Sequence, residues 1–368
     1  MTASTLPHPA APGDAAIVCH RAATSATYDD LAYASAASYL TVAQLYLRAN
    51  PLLREPLQPE DLKPRPAGSW RHCAAVNLIY AQLNRMVRET PVHAQLTLAP
   101  LAAVPAVLAN LWLDGTAGGR APALRRDLVG LRELVRTYQG PASAPAALGA
   151  HLPPLTRLSP ARAAARAVLA ACGAAFGRPE VVSFCVLAGA QAAAGFSERV
   201  PPAFAALRPG RDGLVVPLVE VSALSGAQGE AAALVSARGF TPLVVSEPEP
   251  CMAHAALGDA LGRIVAAREE GRGGLAIVFV TPPALSAPAL EDARAQHPAS
   301  GAVGPAGESL FLPRARADAR QRAALEEWLL GYEPDALFAP SGAPSARLDA
   351  LVPPPERRVG ELDGPVTS

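Results

Sequence analysis

Apolar positions recur along this chain at two spacings, helical in the first half and alternately helical and extended in the second. Val76, Ile79, Tyr80, Leu83, Met86 and Val87 fall at helical intervals and predict an amphipathic helix from about Cys73 to Glu89. Before it, Asp29 or Asp30 stands where it would cap a helix running to about Arg48, which Asn50-Pro51 ends. Val104, Val107, Leu108, Leu111 and Trp112 share one face of a helix stopped at Gly115, and another helix spans about Ala123 to Tyr138. The next is the best delimited, with Ser159 as N-cap, Pro160 in its first turn and Gly177 just past its end.

Between the helices lie short runs rich in β-branched residues. Gln95 to Ala99, Val181 to Leu187, Leu214 to Val221, Thr241 to Val245 and Leu275 to Val280 predict strands. Helices at about Gly229 to Arg238 and Met252 to Glu269 separate the later strands, and one more spans about Ala319 to Gly331. Strand and helix in alternation, with nearly continuous apolar strands, predict an α/β fold: a mostly parallel sheet of about five or six strands with helices on both faces. Residues 1–26 are expected to form a loose arm, 27–345 the domain and 346–368 a Pro-rich tail. Ligands of such sheets sit at the carboxyl ends of the strands. The run ending at Leu187 leads there into Ala188-Gly189-Ala190, where Gln191 is the one polar side chain before Gly195.

Composition narrows the field. The 368 residues are half hydrophobic and carry 32 basic against 32 acidic side chains, which gives no electrostatic case for nucleic acid or an anionic membrane. Lys63 is the sole lysine. Five scattered cysteines, mostly in apolar runs, fit buried thiols better than a disulfide framework. With no signal peptide and no long apolar run, a cytoplasmic protein is the expectation.

The local motifs are few. His20 with Cys19, His72 with Cys73 and Cys251 with His254 lack the spacing of a zinc site and read as ordinary core or surface residues. No Gly-x-Ser-x-Gly, Gly-x-Gly-x-x-Gly or Walker-type motif occurs. Gly118-Gly119-Arg120 has the residues to meet an anion, but a turn is the plainer reading. Glu269-Glu270 and Glu326-Glu327 have basic neighbours and read as solvated helix faces.

A more specific pattern covers residues 36 to 90: Ser38-Tyr-Leu-Thr-Val-Ala-Gln-Leu-Tyr-Leu, Asn50-Pro-Leu-Leu-Arg-Glu-Pro-Leu, Lys63-Pro-Arg, Gly68-Ser-Trp and Asn77-Leu-Ile-Tyr-Ala-Gln-Leu-Asn-Arg85. It continues through Ala106 to Thr116, Gly173 to Glu180, Asp212-Gly-Leu-Val-Val-Pro217, Leu325-Glu-Glu-Trp-Leu329 and Glu333 to Phe338. In this order and spacing the chain resembles phosphoketolase, the thiamine-diphosphate enzyme that forms acetyl phosphate from xylulose 5-phosphate or fructose 6-phosphate and phosphate. The likeness implies a transketolase-like diphosphate-binding domain, corresponding to the first half of that enzyme, with the pyrimidine-binding and C-terminal domains absent.

Departures from the family fall where its chemistry is expected. The family's Gly-His-Trp is Gly68-Ser69-Trp70, and Gly-Pro-Gly-His-Gly is Ala99-Pro100-Leu101-Ala102-Ala103. The metal motif Gly-Asp-Gly is Ala188-Gly189-Ala190, and the asparagine expected as second metal ligand is Ser222. His-Glu-Gly-Gly is Ser159-Pro160-Ala161-Arg162, a histidine is Leu310, and Lys-Gly-Trp is Pro283-Ala284-Leu285; His151 lies near another family histidine. Framework residues Tyr80, Asn84, Arg85 and Trp328 stand. Ala102, Gly189 and Ser222 are thus vestigial cofactor positions, no catalytic residue is identified, and neither thiamine diphosphate nor Mg²⁺ is expected to bind.

The first reading is a catalytically degenerate phosphoketolase-like protein acting through binding or assembly. The second is a subunit of a split phosphoketolase that retains thiamine diphosphate and Mg²⁺ with a chain carrying the pyrimidine-binding domain, and the third is a metabolite binder. The first carries two further expectations. The Cys73 to Glu89 helix and the alanine-rich helix after Ser159 should leave apolar surface that a homodimer or partner chain covers, and Gly189→Asp with Ser222→Asn should be tolerated.

Overall fold

The computed structural model describes residues 25–67, 70, 72–99, 101–148, 160–189, 192–193, 204, 206–208, 210–285 and 312–359. Five strands form one sheet: β1 (His93–Leu98), β2 (Val181–Ala188), β3 (Leu214–Ser222), β4 (Thr241–Val245) and β5 (Leu275–Thr281). Every pairing is parallel, in the order β1-β2-β3-β5-β4. The α/β reading therefore holds, with a fully parallel sheet.

Side chains of a strand alternate between faces, and here the alternation divides the interior into two cores. Val182, Phe184, Val186, Val216, Leu218, Ile277 and Phe279 belong to a large core. Cys185, Leu187, Val215, Val219, Val221, Val278 and Val280 belong to a smaller one. Over the large core lie α1 (Ser25–Tyr46), α2 (Cys73–Glu89), α3 (Val104–Leu113), α4 (Thr116–Arg120) and α5 (Leu128–Thr137). The smaller core is closed by α6 (Pro160–Ala175) and α7 (Gln228–Ser236), while α8 (Pro250–Glu269) and α9 (Ala319–Leu330) return to the large one.

α1 is buried on all sides from Tyr33 to Tyr46, so its polar residues need internal partners. They have them. Asn77 Nδ2 donates to Ser38 Oγ and Thr41 Oγ1 at 3.2 Å each, Asn110 Nδ2 donates to Asn77 Oδ1 at 2.9 Å, and Gln44 Nε2 donates to the Pro105 carbonyl at 3.0 Å.

Three expectations need correction. The first helix starts at Ser25, so Asp30 is not its cap: buried one turn in, it is met by Arg85 Nη1 (3.3 Å), Arg88 Nη2 (3.1 Å) and His254 Nε2 (3.3 Å), tying α1 to α2 and α8. The helix read from Ala123 to Tyr138 is broken, because Asp127 accepts from Gly130 N at 2.8 Å and starts α5 at Leu128. The apolar stripe of α2 is not left uncovered, since Val76, Ile79, Tyr80, Leu83, Met86 and Val87 are all buried within this chain. Beyond residue 345, Leu348, Leu351 and Val359 also belong to the large core.

Candidate functional site

The carboxyl ends of β1, β2 and β3 lie side by side, which brings the three vestigial positions to one edge of the sheet. Ala102 sits in the 3-10 turn Leu101–Ala103 after β1, its carbonyl facing Cys73 Sγ at 3.4 Å. Gly189 follows the last residue of β2, and Ser222 ends β3. Gly68, Ser69, Pro100, His151, Ser159, Ala190, Gln191 and Leu310 lie outside the described residues.

Gly189 has no room for a side chain. A Cβ built there would stand 2.9 Å from Val221 Cγ1, and Val221 is itself packed into the smaller core. The expectation that Gly189→Asp with Ser222→Asn is tolerated meets this contact: an aspartate at this position requires the Val221 side chain to shift.

The same edge carries a polar centre that motif reading did not find. Glu220 is the one charged residue in the strand Leu214-Val-Val-Pro-Leu-Val-Glu-Val-Ser222. Strand alternation puts it on the side of Val216 and Leu218, toward the helices of the large core. There it is 3 % exposed. Its Oε1 accepts from Thr281 Oγ1, at the end of β5, at 2.6 Å. Its Oε2 lies 2.7 Å from Nδ1 of His72. His72 occupies the N-cap position of α2 without using its side chain as a cap, so the ring reaches across to β3.

A buried carboxylate persists only where it is paired and hydrogen-bonded, and both conditions are met. A carboxyl group on Nδ1 also orients the imidazole ring. The arrangement can accept or donate one proton or hold one polar ligand group. Two residues before His72, the Trp70 indole Nε1 donates to the Leu285 carbonyl at 2.8 Å and its ring packs edge-on against Trp328 at 5.6 Å. His72 had drawn notice only beside Cys73. The one signal in the sequence that could have found the pair is Glu220, a lone acid among the apolar residues of β3.

Elsewhere some of the residues singled out from sequence have structural partners. Tyr80 Oη donates to Asp114 at 2.8 Å, and burial pushes the Asp114 carboxyl up to about 6. Gly118, Gly119 and Arg120 lie within the five-residue α4. Glu326 Oε2 accepts from Leu57 N at 3.2 Å. Among the described residues no three His, Cys, Asp or Glu side chains are grouped to hold a metal, and no helix is long and apolar enough to cross a membrane.

Comparison with known proteins yields a consistent set. The family model for the XFP N-terminal domain matches residues 25–268. A probable phosphoketolase of Streptomyces coelicolor is 32% identical over 348 residues, 88% of this chain and 43% of that protein. One from Mycolicibacterium paratuberculosis is 32% identical over 350 residues (89% and 42%), and one from Brucella abortus 30% over 351 (89% and 43%). The chain spans less than half the length of these curated relatives.

Proposed function

The chain belongs to the phosphoketolase family, through its N-terminal domain, and from that premise we propose that it serves carbohydrate metabolism by binding rather than by thiamine-diphosphate catalysis. The observation that carries this reading is the place of Gly189, without a side chain and beside Val221, at the end of β2. A Mg²⁺ that bridges a diphosphate takes hard oxygen ligands in near-octahedral array. The residues at the carboxyl edge do not fit that group: Gly189 offers no side-chain oxygen, and Val221 Cγ1 stands 2.9 Å from where its Cβ would be. Among the described residues, Glu220 near the end of β3 is held by His72 and Thr281.

The binding partner in this reading is a second copy of the chain or a chain carrying the complementary pyrimidine-binding domain. Support comes from Leu169 on α6 (41 % exposed) and Phe176 just past its end (53 %), both large apolar side chains open to solvent, since exposed apolar surface is common at interfaces. Light scattering on the purified protein, with affinity recovery from its native host, tests it. A dimer or a co-purifying chain is expected. A monodisperse monomer at tens of micromolar with no recovered partner overturns it.

A second reading, one subunit of a split phosphoketolase, draws on the 32% identity to probable phosphoketolases. Mg²⁺-dependent binding of thiamine diphosphate separates the two.

A further inference from the structure

The opposite edge of the sheet holds a cleft of about 590 Å³, within the size range of small-molecule sites. It opens where β2 to β5 begin, so β3, rising about 3.3 Å per residue, separates it from the His72–Glu220 pair by roughly 20 Å. Nothing in the family assignment gives this edge a role.

Its floor is apolar. Phe204, Leu207, Leu214, Val215 and Phe240 line it, with the rings of Phe204 and Phe240 edge to face at 5.1 Å. The chain turns beside it through left-handed glycines at Gly210, Gly239, Gly271 and Gly274 (φ 80°, 85°, 65° and 78°), which line the cleft without a Cβ.

Its rim is cationic. Arg208, Arg238, Arg268 and Arg272 stand against two carboxylates, Asp212 and Glu269. Asp212 is directed inward: it accepts from Gly177 N at 2.6 Å and Arg208 N at 2.7 Å, bonds that lower its pKa. Arg272 pairs with Glu270, and Arg268 Nε donates to the Pro179 carbonyl at 2.9 Å. Arg238 is exposed and, among the described residues, in no ion pair. Arginines near the ends of α7 and α8 complement the negative ends of those helices, which accounts for positive charge here. It does not account for aromatic rings lining a cleft beside that charge.

We propose that this cleft is a ligand site for an amphipathic organic anion, with an aromatic body on Phe204 and Phe240 and a sulfonate, carboxylate or phosphate at Arg238 and the neighbouring guanidiniums. Aromatic rings favour edge-to-face contact, and guanidinium forks suit planar or tetrahedral oxyanions. The site is independent of the reading of the carboxyl edge.

Two fluorescent probes that differ by one charge test it: 1-anilinonaphthalene-8-sulfonate and its uncharged parent N-phenyl-1-naphthylamine. The sulfonate is expected to saturate one site per chain with at least tenfold higher affinity than the parent. Arg238→Glu, at an exposed position, should weaken the sulfonate at least tenfold and leave the parent unchanged. Phe240→Ala should weaken both, with melting curves confirming that each variant is folded. Equal affinities for the two probes, or sulfonate binding indifferent to Arg238→Glu, overturns the proposal, and the Arg238 result decides even where Phe240→Ala does not fold.

Discussion

Lys63 is the sole lysine, and it is completely buried. Its Nζ donates to the carbonyls of Gln44 and Tyr138 and lies 5.6 Å from the centre of the Tyr138 ring. Burial lowers its pKa from 10.5 to about 7. Folding therefore favours the neutral amine, and between those two values the unfolded chain binds more protons than the folded one. Stability should rise with pH across that window. Lys63→Met should flatten the rise relative to the parent, as read by urea unfolding at pH 7 and pH 10. An amine-reactive ester should acylate Lys63 only after denaturation, as peptide mass spectrometry would show. At the carboxyl edge, Glu220→Ala leaves the Thr281 hydroxyl and His72 Nδ1 without their acceptor, with an expected cost of about 1–3 kcal/mol in denaturant unfolding. Such residues are legible only in part. The sequence marks Lys63 and Glu220 as unusual, one by being alone of its kind and one by its apolar neighbours, but partners 19 to 148 positions away come from the fold.

The elements were read most securely where periodicity and end signals agree. β2, β4, α2 and α6 fall within a residue or two of their expected ends, because β-branched runs or helical spacing are bounded there by Gly or Pro. Errors arose where a local signal competed with burial. Asp30 looked like a cap, yet it is an interior acid serving three basic groups, and α5 starts late because Asp127 caps inside a segment of otherwise helical spacing. The end of β2 carries the sharpest prediction. Gly189→Ala and Gly189→Asp should each destabilise by about 1–3 kcal/mol through overpacking against Val221. Adding Val221→Ala should recover part of the loss in the Gly189→Ala chain. Additive costs in that double-mutant cycle would show that the two positions do not share the space.

For the whole molecule, the alternation of strand and helix was enough to give a parallel sheet covered on both faces, because buried strands and their crossovers leave few other arrangements. Strand order and the division into two cores were not legible, since both depend on which strands become neighbours. Nor was the packing of Leu348, Leu351 and Val359, which draws the segment after residue 345 into the large core. The candidate site was legible as a place, the carboxyl edge with Ala102, Gly189 and Ser222, but not in its content. What occupies that edge is a glycine with no room for a side chain and a carboxylate held by His72 and Thr281. The central claim is that this edge does not hold the family's cofactor, and calorimetric titration of the protein with thiamine diphosphate in millimolar Mg²⁺ tests it most directly. The account predicts no saturable heat up to about 1 mM cofactor, a bound of about −4 kcal/mol. Micromolar binding that disappears when Mg²⁺ is chelated would contradict it.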